Sequence, residues 1–106
     1  MTDCIFCKIT GREIPAEFLY EDDKCVIFRD LHPKAQTHLL IVPLKHIPSI
    51  AEMDEGDEKI VGHLVLCAKN IAEKLGLGGY KLQINVGKDG GQEVFHLHLH
   101  LMSKFG

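Results

Sequence analysis

Residues 90–102, near the C-terminal end, restrict the fold of this chain more than any other segment. Neighbouring side chains of a β-strand point to opposite faces of the sheet, and here apolar and polar residues alternate. The pattern predicts a single strand that follows a Gly90-Gly91 turn. Its core face carries Phe95, Leu97, Leu99 and Leu101, and its other face carries His96, His98 and His100.

Three histidines on one strand face indicate chemistry, although one histidine in such a pattern is typical of an ordinary half-exposed strand. Imidazole ionises near pH 6.5, so it can serve as nucleophile, proton carrier or metal ligand at neutral pH. The preceding glycines suit a backbone that turns its N–H groups towards an anion. We therefore expect this segment to contribute to an active site.

The histidine spacing resembles that of the histidine triad (HIT) family, whose signature is His-φ-His-φ-His-φ-φ with φ apolar. Residues 96–102 match every position. The resemblance extends from about Cys4 to Ser103, and the nearest branch looks like the Hint-type nucleoside phosphoramidases. It implies a HIT-like α+β fold and a nucleotidyl hydrolase.

Composition agrees with one compact domain over residues 1–106, because 45% of the 106 residues are hydrophobic. A net charge of −3 and the lack of a basic run argue against nucleic acid as the main partner. No segment looks like a signal peptide or approaches the roughly 20 apolar residues of a membrane span. We expect a cytoplasmic protein whose four cysteines are reduced and serve metal binding or packing.

Periodicity predicts an antiparallel sheet of about five strands, one long helix and a short N-terminal helix. The short helix contains Cys4-Ile5-Phe6-Cys7, and Cys25 is assigned to apolar packing. The long helix has an acidic start and a wide apolar stripe. One sheet would leave part of this stripe uncovered, so we expect a homodimer, with His63 off the stripe and solvated. The predicted elements are a hairpin over 18–28, a strand over 37–43, a helix over about 54–75, and strands over 80–87 and 90–102.

The Cys4-x-x-Cys7 motif places two thiols on one helical turn, where they can converge. Two core cysteines and a redox pair are the alternatives. A structural zinc ion needs four ligands, and histidine commonly supplies the remaining two. The resemblance implies His46, in a Pro-x-Lys-His segment, and His96 as those ligands. Four unliganded side chains, or zinc held with other histidines, remain open.

A second family pattern, Phe-x-Asp-φ-x-Pro, is met by Phe28, Asp30, Leu31 and Pro33. The resemblance implies that the Asp30 carboxylate binds the two ribose hydroxyls of a purine nucleotide. Capping of a turn is the alternative for Asp30, and ordinary core packing is the alternative for the implied purine slot. That slot comprises Ile5, Phe6, Ile9, Phe28 and Leu31.

Contacts to the phosphate or leaving group are implied by resemblance for four positions near the glycine turn. Asn85 ends one predicted strand, and an Asn that starts a turn is its common alternative role. Glu93 departs from the family, because many Hint-like enzymes have serine here, so protonation of the leaving group is expected to differ. The positions are Asn85, Gly91, Gln92 and Glu93.

The resemblance assigns His98 as the nucleophile that attacks the α-phosphorus and forms a nucleotidyl-imidazole, which water then cleaves. His100 and the backbone around Gly91 and Gln92 would hold the phosphate oxygens, and His38 would orient or relay protons. Three alternatives remain: a dinucleoside polyphosphate hydrolase, a nucleotide-binding interaction protein with little turnover, and a metallohydrolase with all three triad histidines on zinc. The last requires one zinc ion to bind both His96 and His100, whose Cα atoms would lie some 13 Å apart along a strand.

Overall fold

The computed structural model describes residues 4–104, and its framework is one antiparallel sheet with the strand order β1-β2-β3-β5-β4. The predicted α+β class is confirmed, with a short first helix, a long second helix and five strands. The elements are α1 (Ile5–Thr10), β1 (Tyr20–Glu21), β2 (Cys25–Arg29), β3 (Thr37–Pro43), α2 (Glu58–Lys74), β4 (Lys81–Gln83) and β5 (Leu99–Ser103). Within the described residues, neither helix is long and apolar enough to cross a bilayer.

Strand β3 lies at the centre of the sheet, between β2 and β5. Every residue from His38 to Pro43 is buried, because both sheet faces are covered at this strand. Leu39 and Ile41 face the main core with Leu64 and Ile71 of α2. Alternation then directs His38, Leu40 and Val42 to the other face.

Helix α1 covers that second face, where Phe6 and Ile9 pack against residues of β2 and β3. The two helices therefore lie on opposite sides of the sheet. His38 and His100 share the α1 side with Leu40, since Leu40 and His100 are paired across β3 and β5. The long helix builds the core, and the opposite face of the sheet carries the triad histidines.

The prediction of one strand over residues 90–102 was wrong, because only β5 (Leu99–Ser103) pairs in the sheet. Lys88–Gly90 forms a 3₁₀ turn, and Gly91 adopts a left-handed conformation with φ +85°. The N–H group of Leu97 donates to the carbonyl of Ile47 at 2.7 Å, so this segment bonds to a loop rather than to a strand. Phe95, predicted to face the core, is 46% exposed.

Two predictions concerning α2 also needed correction. The acidic segment before the helix forms a capping box of Asp54 and Asp57, and the α-helix itself begins only at Glu58. His63 was expected to be solvated, but it is half-buried and its Nε2 lies 2.7 Å from Asp22 Oδ2. That contact joins residues far apart in sequence, so helical periodicity could not predict it. Cys25 is fully buried in β2, as expected of a side chain that packs in the core.

Candidate functional site

The structure brings together the four residues predicted to bind zinc. Cys4 Sγ lies 3.4 Å from His96 Nδ1, and Cys7 Sγ lies 3.2 Å from His46 Nδ1 and 3.5 Å from His96 Nδ1. The two imidazole Nδ1 atoms are 3.1 Å apart. Tetrahedral zinc, with bonds of about 2.3 Å to sulfur and about 2.05 Å to nitrogen, places S and N about 3.6 Å apart and two N atoms about 3.3 Å apart. The donor atoms therefore fit one tetrahedral ion.

Secondary structure positions each of these ligands. The first turn of α1 places Cys4 and Cys7 together, with the Cys7 N–H 3.4 Å from Cys4 Sγ. His96 is fully buried, and its Nε2 lies 2.8 Å from the carbonyl of Pro43 at the end of β3. A carbonyl only accepts, so Nε2 carries the proton and Nδ1 presents a lone pair to the cluster. This is the tautomer that a metal ligand requires.

His98 does not belong to that cluster and is only 8% exposed. Its Nδ1 lies 2.7 Å from the carbonyl oxygen of His96, so Nδ1–H donates and Nε2 keeps its lone pair. The Phe6 ring meets the His98 ring edge-on, with centroids 5.0 Å apart. Backbone and aromatic contacts thus hold one nitrogen of a neutral imidazole ready for nucleophilic attack.

His38 and His100 form a hydrogen-bonded pair beside His98. The Lys34 N–H donates to His38 Nδ1 at 3.0 Å, which places the proton of neutral His38 on Nε2. His38 Nε2 lies 2.9 Å from His100 Nδ1, so Nδ1 accepts and His100 keeps its proton on Nε2. Because the His98 and His100 ring centroids are 4.9 Å apart, this donor lies beside His98.

Burial is the main electrostatic influence on these imidazoles, because it disfavours their charged forms. It lowers the pKa of His100 to about 4, and the neighbouring His98 and His38 rings reinforce the shift. Burial likewise lowers the pKa of His96 to about 4 and lowers the pKa values of His38 and His98, although Asp30 opposes the shift for the latter two. The histidines are therefore neutral at pH 7, as a nucleophile must be.

The Asp30 carboxylate is partly exposed beside the histidine pair. One oxygen accepts the His32 N–H at 2.8 Å, which is the turn-capping role considered above. The other oxygen lies 3.4 Å from His38 Nε2. Asp30 therefore serves the turn with one oxygen and presents the second near the site, so both roles are compatible.

The five residues of the implied purine slot divide into two groups. Phe6, Ile9 and Phe28 are buried members of the α1-side core, which is the ordinary packing role considered for them. Ile5 is 46% exposed and Leu31 is 87% exposed, so they are the members of the set that offer free apolar surface. The slot thus has three buried side chains beneath it and two exposed apolar side chains beside it.

Near the glycine turn, hydrogen bonds within the protein occupy part of the predicted phosphate site. The N–H groups of Gly91 and Gln92 donate to the carbonyls of Lys88 and Gly87, each at 3.0 Å, because the turn closes on itself. Neither N–H is therefore available to hold a phosphate oxygen in this arrangement. The buried Gln92 side chain is also engaged, since its amide nitrogen donates to the Pro48 carbonyl at 2.7 Å.

Asn85 and Glu93 remain near this turn with different surroundings. The Asn85 amide donates to the Gly91 carbonyl at 3.2 Å and accepts from the Gln83 amide at 2.9 Å. These contacts tie β4 to the glycine turn, which fits the turn role considered for Asn85. Glu93 is exposed to solvent.

The metallohydrolase alternative is disfavoured by how the triad divides. His96 joins the cysteine cluster, whereas His100 joins Asp30 and His38. Within residues 4–104, no group of three or more candidate ligands within 4.8 Å contains two triad histidines. The three imidazoles therefore do not converge on one ion.

Comparison with known proteins identifies the class. The family model described as "Scavenger mRNA decapping enzyme C-term binding" matches residues 3–105. Together with the triad geometry and the relatives below, this match shows that the chain belongs to the histidine triad family.

Particular relatives agree over nearly the whole chain. Protein HitA of Neisseria gonorrhoeae is 48% identical over 103 residues, which cover 96% of each chain. A HIT family hydrolase from Legionella pneumophila Philadelphia 1 is 46% identical with a TM-score of 0.92, covering 95% of this chain and 92% of that one. A histidine triad nucleotide-binding protein from Candida albicans is 30% identical with a TM-score of 0.87, covering 98% and 76%.

Sequence reasoning missed the backbone groups that determine the tautomers. The Lys34 N–H and the carbonyls of Pro43 and His96 each bond to one imidazole nitrogen. Every residue type supplies such groups, so no side-chain pattern could reveal which ones would be used. Phe6 was assigned to the base slot, and its edge contact with His98 was not foreseen.

The depressed histidine pKa values predict that stability decreases as the pH falls from about 6.5 to about 4. In that window the unfolded chain binds protons that folded His100 and His38 do not, so the free energy of unfolding rises with pH. His100→Asn removes one such group. We therefore expect its free energy of unfolding, measured by urea denaturation, to change less between pH 7 and pH 4 than that of the wild type. Any acid-induced metal release affects both proteins, so the difference in slope reports His100. Parallel curves would contradict the prediction.

Proposed function

We propose that this protein is a nucleotidyl hydrolase that cleaves the phosphorus–nitrogen bond of purine nucleoside 5′-phosphoramidates and acts on acyl-adenylates. The observation that carries the proposal is the arrangement of His98 and His100. A buried neutral imidazole presents Nε2 as a lone pair, and the adjacent imidazole holds a proton on Nε2. This combination suits attack at a phosphorus atom whose oxygens need a hydrogen-bond donor.

In the first step, His98 Nε2 bonds to the α-phosphorus, the phosphorus–nitrogen bond breaks, and the amine leaves with a proton taken from solvent. In the second step, water attacks the nucleotidyl-imidazole and returns a proton to solvent, the new phosphorus–nitrogen bond breaks, and nucleoside monophosphate is released. His100 Nε2–H donates to a phosphate oxygen throughout. The hydrogen bond from His38 to His100 Nδ1 keeps that proton on His100 Nε2, and the Lys34 N–H fixes the orientation of His38.

Nucleotide recognition is proposed for the surface next to this pair. Asp30 offers the oxygen that the turn does not use to the ribose hydroxyls, and Ile5 and Leu31 offer exposed apolar contact for a purine. The Candida albicans relative is named as a nucleotide-binding protein, which agrees with this class of ligand. Asn85 and exposed Glu93 are the groups we assign to the phosphate or leaving-group side.

The test is to trap the covalent intermediate. Mixing the protein with adenosine 5′-phosphoramidate and quenching in acid is expected to give one AMP adduct on His98 by mass spectrometry. His98→Ala should lose the adduct and at least about 10³-fold in turnover, since no other group supplies the nucleophile. His32→Ala, at an exposed histidine outside the triad, is the matched control and should retain turnover. Normal turnover by His98→Ala would overturn the proposal, and tight AMP binding without turnover by the wild type would favour the interaction-protein alternative.

We also propose that Cys4, Cys7, His46 and His96 hold a structural zinc ion. Four protein ligands leave no open position on the ion, so it would stabilise the α1 attachment without taking part in the reaction. The fit of donor distances and the His96 tautomer support this assignment.

Removing a thiol ligand tests the zinc proposal. Cys7→Ser should lose the ion from this site by elemental analysis and lower the thermal midpoint, because metal binding free energy contributes to folding. It should retain much of the phosphoramidase activity, since His98 and His100 are not ligands. Zinc content equal to the wild type would contradict the assignment, as would a folded but inactive variant.

A homodimer and a cytoplasmic location complete the proposal. Val65 and Leu66 of α2 are 42% and 52% exposed, and Leu82 of edge strand β4 is 36% exposed. Apolar groups on a helix and on an edge strand suit pairing with a second copy of the chain. Sedimentation at micromolar concentration should give twice the chain mass, and Leu66→Glu should shift the protein to monomer. Reduced thiols for zinc agree with a reducing compartment.

A further inference from the structure

A second group of potential ligands, which the proposed reaction does not use, lies between the β1–β2 hairpin and α2. We call it the hairpin–helix cluster: Asp22, Cys25, His63 and Cys67. Cys25 and Cys67 belong to the main core on the α2 side of the sheet, whereas the triad histidines lie on the α1 side. The cluster is therefore separated from the proposed zinc centre by the sheet itself.

The donor atoms of this cluster lie at ligand–ligand distances. The two sulfur atoms are 3.8 Å apart, Cys67 Sγ lies 3.4 Å from His63 Nε2, and Cys67 Sγ lies 3.8 Å from Asp22 Oδ2. Tetrahedral zinc bonded to two sulfurs, a nitrogen and an oxygen requires about 3.8 Å between sulfurs and about 3.6 Å between sulfur and nitrogen or oxygen. His63 Nε2 and Asp22 Oδ2, now 2.7 Å apart in a hydrogen bond, would separate by about 0.6 Å to admit the ion.

The ligands also have the spacing and support of metal sites. Asp22 and Cys25 are separated by two residues on a hairpin turn, and His63 and Cys67 by three residues on one helix face, which resembles the ligand spacing of zinc fingers. The second Asp22 oxygen accepts the N–H groups of Lys24 and Cys25, each at 2.8 Å. These bonds aim the remaining oxygen at the cluster, as outer hydrogen bonds do for metal-ligating carboxylates.

Access from solvent and the charge of the neighbouring groups favour a bound cation over a disulfide between the two cysteines. The side chains of Asp22 and His63 are 20% and 28% exposed, so an ion can enter from solvent. Cys25 and Cys67 are 0% and 4% exposed, which shields them from an oxidant that would form a disulfide. A disulfide also leaves unexplained why a carboxylate and an imidazole converge beside the sulfurs.

We propose that the hairpin–helix cluster is a second metal site, which binds a zinc-like divalent cation through Cys25, Cys67, His63 and Asp22. Binding displaces one proton from each thiol, so two protons leave for each ion bound, and the site with its ion carries a net charge of −1. The ion would attach the hairpin to α2. Tyr20, whose hydroxyl donates to Asp22 Oδ2 at 2.7 Å, would lie at its edge.

Cobalt(II) tests this site because two thiolate ligands give a sulfur-to-cobalt charge-transfer band and tetrahedral coordination gives intense visible bands. The full chain is first stripped of metal and reduced, then titrated with cobalt alone and with zinc alone. We expect two ions bound per chain in the wild type, and one in a Cys4→Ser, Cys7→Ser double variant that keeps only the cluster. In that double variant, zinc should raise the thermal midpoint, since an ion that binds only the folded chain stabilises it.

Two further variants separate the cluster from its surroundings. Cys67→Ala should bind one ion, and His63→Gln should weaken binding at the cluster at least tenfold while leaving both thiols in place. His32→Gln, at an exposed histidine outside both clusters, should bind two. The same number of bound ions in Cys67→Ala as in the wild type, or absence of the charge-transfer band in a folded double variant, would overturn the proposal and leave a metal-free hydrogen-bonded network. If the double variant does not fold, the difference in bound ions between the wild type and Cys67→Ala, together with His63→Gln, still decides the question.

Discussion

The antiparallel pairing of β3 with β5 is the interaction on which the rest of the site depends. It places Leu40 opposite His100, and His38 two pairs further along, opposite Met102. Two imidazoles from distant parts of the chain therefore meet at 2.9 Å on one sheet face. The same strand ends at Pro43, whose carbonyl orients His96. A shift of one residue in this register would turn His100 towards the α2 core.

The direction of each hydrogen bond determines which nitrogen of each imidazole carries the proton. Backbone groups have fixed roles, since N–H donates and C=O accepts, and an imidazole bonded to one of them has no choice of tautomer. His96 thereby presents Nδ1 to the cysteines, and His98 keeps Nε2 unprotonated. Two histidines of one motif thus differ in which ring nitrogen is left unprotonated, without any difference in residue type. Burial keeps both neutral and preserves the assignment at physiological pH.

The sheet also separates two chemical environments. On the α1 side, the triad histidines share a layer with Phe6 and Phe28, close to the exposed surface that we assign to nucleotide. On the α2 side, an apolar core surrounds Cys25 and Cys67, and within residues 4–104 their polar contacts come from the hairpin and from His63. A group of thiols can therefore be stable in the core without contacting the triad histidines on the opposite face.

The sequence by itself determined the fold class, the exact bounds of β3 and the family, because these depend on local periodicity and on a contiguous motif. It also identified the residues that meet around Cys4 and around His100. Only the tertiary structure decided that pairing in the sheet begins at Leu99 and not earlier in the alternating segment. Alternation describes an extended chain whether or not that chain pairs with a neighbouring strand. The same holds for His63 and Asp22, whose contact depends on how α2 packs against the hairpin. Hydrogen-bond partners of this kind are supplied by long-range packing, which a linear pattern does not encode.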